Sequence, residues 1–126
     1  MQGLPTTLEE FLSPDNRLTN LYLEGEEEFL QLYVRKGPKG IRLVGGELKM
    51  FDSVFQIARV EARHPKTGAL RRLIERVDRV SGAKLPIYVE NVFNPEAVIG
   101  LSKSSMGFVR VDHSIAPAPC FFLIRP

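Results

Sequence analysis

The chain has one cysteine, Cys120, and two histidines, His64 and His113, among 126 residues. A lone cysteine excludes an internal disulfide and any zinc site built on cysteines, and two histidines are too few for a His-rich metal site. No apolar run approaches the roughly 20 residues needed to span a bilayer, so no membrane partner is expected. The net charge of +2 is small and no basic run concentrates it, which argues against nucleic acid as a partner. The opening residues, Met1 to Glu10, are acidic and lack the apolar core of a signal peptide, so a cytoplasmic location is expected. Internal repeats and low-complexity tracts are also lacking.

What is present suits a globular protein: 44% apolar and 25% charged residues. The length predicts one domain over 1–126, able to bury roughly two thirds of its unfolded surface. Its expected parts are an N-terminal helical segment, 1–28, and a sheet core, 29–126.

Thr7 followed by Glu10 fits a capping box for a short helix carrying Leu8, Phe11 and Leu12. Ser13-Pro14 stops it and reads as the start of a second helical turn running to about Asn20. Glu24-Gly25-Glu26-Glu27-Glu28 reads as a solvated acidic loop. Phe29 to Arg35 is rich in apolar and aromatic residues and predicts a strand. Lys36-Gly37-Pro38-Lys39-Gly40 predicts a turn, Ile41 to Val44 a return strand, and Gly45-Gly46 its end. Phe51 to Ala62 is partly apolar in both alternating sets, as in a strand covered on both sides. From Leu70 the period changes. Leu70, Leu73, Ile74, Val77 and Val80 form one helical face, and Ser81-Gly82 closes it. Leu85 to Val89 is a further strand, and strand–helix–strand predicts a parallel pair. Asn94-Pro95 opens a second long helix, with Asn94 as N-cap, and Gly107 ends it. Phe108 to Val111 and Cys120 to Ile124 are the last two strands.

The segment from His64 to Arg79 carries the most functional information. A small basic turn with one glycine runs into an amphipathic helix directly after an apolar strand. Free backbone N–H groups and the helix dipole make such a junction a natural phosphate site. The same residues also fit a plain strand-to-helix turn, with Arg71 and Arg72 on a solvated helix face.

Three segments resemble the GNAT family of acyl-CoA-dependent N-acetyltransferases: Val60 to Ile74, Ile87 to Ala97, and Met106-Gly107-Phe108. The first is similar to the family's strand, pyrophosphate loop and helix. In the family this loop reads Arg/Gln-x-x-Gly-x-Gly/Ala, and its backbone amides hold the pyrophosphate of coenzyme A. The second is similar to the next strand and the Asn-initiated helix beside the pantetheine arm. Aligned on Gly68, the loop has Pro65 where Arg or Gln stands in the family and Leu70 where the second Gly or Ala stands. The interval from Asn94 to Gly107 lacks the tyrosine that often serves the family as general acid, with only Ser102, Lys103, Ser104 and Ser105 near that place.

The resemblance implies an α+β fold: a central, mostly antiparallel sheet with one parallel βαβ crossover and helices on both faces. It implies acetyl transfer from acetyl-CoA, as co-substrate, to a primary amine on a small molecule or protein, by direct attack in a ternary complex. The residues it places at the cofactor are Val60, Lys66, Thr67, Gly68, Ala69, Leu70, Arg71 and Asn94. Homodimers are common in the family, so a homodimer is an expectation here. The missing glycine and tyrosine motivate an alternative, a non-catalytic GNAT-like module acting through a protein or ligand partner. No catalytic residue stands out. Asp52 and Glu61 are carboxylates that a proton-abstracting step needs, yet each also fits a surface strand position. Tyr88 fits a core position as well as an acid, His64 fits a surface turn, and Cys120 fits a small buried hydrophobe.

Overall fold

The computed structural model describes residues 7–13, 16–26, 28–42, 46–64, 68–82, 84–90, 107–111 and 120–123. Its elements are α1 (Leu8–Leu12), β1 (Asn20–Glu26), β2 (Phe29–Arg42), β3 (Leu48–Ala62), α2 (Ala69–Ser81), β4 (Ile87–Val89), β5 (Phe108–Val111) and β6 (Cys120–Leu123). The six strands form one mixed sheet in the order β1-β2-β3-β4-β6-β5. β3 and β4 are parallel, joined across α2, and the other neighbours are antiparallel.

The expected balance of helix and sheet is wrong. Strand accounts for 56% of the described residues and helix for 22%. The two helices lie on one face, not on both. Leu8 and Phe11 of α1 share a core with Ala69, Leu73, Ile74 and Val77 of α2 and with Leu32, Val34, Phe55, Ile57, Val89 and Phe121 of the sheet. The opposite face carries a separate apolar cluster of Ile41, Val54, Tyr88, Val111, Cys120 and Phe122, with Phe51 packed edge-on against Phe122. The helix expected from Asn94 lies outside the described residues. No helix among the described residues is long and apolar enough to cross a membrane.

Two local expectations also fail. The turn expected to run helically to Asn20 is instead held by Asn16, whose side chain accepts from the Leu18 N–H at 3.0 Å. Such a side-chain loop replaces helical backbone bonding. β1 then begins at Asn20, with Leu21 and Leu23 buried and Tyr22 exposed, and runs through Glu24 and Glu26 of the expected acidic loop. The expected turn at 36–40 is the middle of β2. Residues 41 and 42 continue that strand and pair with Lys49 and Leu48. Pro38 is tolerated for two reasons. β1 pairs with β2 only up to Arg35, and a bulge in the pairing with β3 lies between Gly37 and Lys39.

Lys36 fixes α1 against the sheet. Its ammonium donates to the carbonyls of Phe11 and Asn16 and sits 4.5 Å from the Phe11 ring centroid. Thus a cation meets the carbonyls at the carboxyl end of a helix, where intrahelical donors run out. Ion pairs tie the helices further. Arg76 donates to both Glu9 oxygens at 2.9 Å, and Arg72 pairs with Glu28.

These pairs hold the carboxyls of Glu9 and Glu28 below their usual value of 4.5, chiefly through the hydrogen bonds from Arg76 and Arg72. A depressed carboxyl pKa adds stability above the unfolded value, and that stability is lost as pH falls through the folded value. Stability is therefore expected to decline as the pH drops below about 4.5. In Glu9→Gln/Glu28→Gln the decline should be shallower in urea melts taken between neutral and acid pH. An equally steep decline would show that other carboxylates control it.

Candidate functional site

α2 starts where the chain turns back from the carboxyl end of β3. Gly68 takes φ +81°, a left-handed conformation that most side chains disfavour. No side chain of this N-cap residue closes the helix, and its first turn has no acidic residue. The first N–H groups of a helix have no intrahelical partner, so this end favours an anion. Leu70 packs onto the core, and Ala69 is buried in it. The bulk of Leu70 is therefore directed away from the turn rather than over it. Val60 is half-buried near the end of β3, opposite Leu32.

The two arginines of the turn are engaged. Arg71 lies 3.4 Å from Glu75 one helical turn on, and Arg72 pairs with Glu28. The structure thus brings Val60, Gly68, Ala69, Leu70 and Arg71 to one end of the sheet. Lys66, Thr67 and Asn94 lie outside the described residues, as do His113 and the segment 102–105.

Next to this turn is the seam between the parallel strands. β4 pairs with β3 from Phe55 to Ile57, and the Glu90 N–H donates to the Ile57 carbonyl at 3.1 Å. Among the described residues the pairing extends no further, and β3 continues to Ala62. At this point β3 carries one extra residue relative to β2, since Val34 opposes Ile57 while Tyr33 opposes Arg59. Such a bulge leaves a residue out of the ladder and often lies beside an active site. In open sheets ligands bind beyond the carboxyl ends of parallel strands, and this is the parallel pair of the described sheet.

On the face away from the helices, the seam is lined by polar groups that sequence reading missed. Arg35, Gln56, Tyr88 and Phe122 stand in one row across β2, β3, β4 and β6. Glu90 follows on from Tyr88 and lies 3.6 Å from Arg35. The Arg35 guanidinium also lies 5.0 Å from the Tyr33 ring centroid, and the Lys39 ammonium lies 4.6 Å from that of Tyr88. Burial pushes the Tyr88 hydroxyl well above its usual pKa, with the Cys120 thiol and the Glu90 carboxylate adding to the shift. A phenol so hard to ionise keeps its proton and stays neutral. The signals available in the sequence were Gln56 inside an apolar run and Glu90 directly after Ile-Tyr-Val.

The carboxylates first considered are placed differently. Asp52 is exposed on the stretch of β3 before its pairing with β4 begins, and Glu61 is exposed near its end. His64 is an exposed turn residue, and Cys120 is buried. Among the described residues no three His, Cys, Asp or Glu side chains are grouped to hold a metal ion. No family model matches the chain, and no curated protein or solved structure matches it.

Proposed function

We propose that the chain is an acyl-CoA-dependent N-acetyltransferase of the GNAT type, moving an acetyl group from acetyl-CoA to a primary amine by direct attack in a ternary complex. The observation that carries the reading is the opening of α2 on left-handed Gly68 at the carboxyl end of β3, within the parallel crossover. The amides of Ala69, Leu70 and Arg71 would meet the pyrophosphate there, with no side chain of Gly68 in the way. The pantetheine arm would follow the seam between β3 and β4 at their carboxyl ends, and the bulge beside Ile57 would offer backbone N–H to the thioester carbonyl.

Thermal melting with acetyl-CoA and with free CoA tests this. At 100 times its dissociation constant a ligand of the folded state adds about 2.7 kcal/mol, or a rise of roughly 10 °C for a chain of this size. No shift with either compound would sink the proposal. A second reading is a non-catalytic module that binds a protein or another ligand. The engagement of Arg71 with Glu75 and of Arg72 with Glu28 favours it, because neither guanidinium is then held ready for phosphate.

A further inference from the structure

We draw no further inference here: the strongest candidate, the exposed apolar patch of Leu48 and Met50 on the stretch of β3 that precedes its pairing with β4, carries nothing, because nothing in the structure shows what covers it.

Discussion

Phe55→Ala is expected to lower stability by about 3–5 kcal/mol, the range for deleting a large aromatic from a packed core. Phe55 is fully buried on β3, on the side covered by α1 and α2. Its strand pairs with β2 on one side and β4 on the other, so no free edge allows the sheet to close over the cavity. Single domains hold about 5–15 kcal/mol in total, so the variant should unfold at markedly lower urea or temperature. Met50→Ala provides the contrast. Met50 is 71% exposed, and its loss should change stability by less than about 0.5 kcal/mol. Similar midpoints for the two variants would contradict the assignment of the helix-covered face as the main core.

Lys36→Ala should have the next largest effect, a loss of about 2–3 kcal/mol. Charge-assisted hydrogen bonds carry about 1.5–3 kcal/mol each, and here two carbonyls lose their donor together. Burial lowers the Lys36 pKa, so the ammonium is held at some cost and only its partners make that position favourable. The damage should be local before it is global. Hydrogen exchange at Phe11, whose N–H bonds to the Thr7 carbonyl, should quicken more than exchange in α2. Lys36→Arg should recover part of the loss. If exchange rises equally in both helices, α1 is held by its apolar contacts rather than by this cation.

α2 was legible because Leu70, Leu73, Ile74 and Val77 keep strict helical spacing and a left-handed glycine, Gly82, follows it. The parallel pair followed from strand–helix–strand order. Other parts were illegible for definite physical reasons. Lys36-Gly37-Pro38-Lys39-Gly40 has every local mark of a turn, yet pairing with β3 on one side, with no strand paired on the other among the described residues, lets it continue as strand across a bulge. β1 escaped notice because, among its described side chains, the buried positions are Leu21 and Leu23, set among acidic residues that read as solvent-facing. The turn into α2 was visible from Gly68 and the strand before it. The Arg35–Gln56–Tyr88–Glu90 group was not, because its members come from three strands and meet only through register. Spacing along a chain carries no information about which strands will be neighbours.

The position of β6 bears on how the molecule assembles during synthesis. It follows the other described strands in the sequence, yet it lies between β4 and β5 and pairs with both. The hairpin of β2 and β3 joins neighbours in the chain and can close as soon as both strands have left the ribosome. β5 must wait. It has no partner in the described sheet until β6 emerges, and an unpaired strand is exposed to other chains for that interval. Arg110 gives it some cover: it is exposed, and a charge on a strand discourages strand addition by a neighbour. Completion of this sheet therefore waits for β6, set by the order of the strands rather than by the strength of any one contact.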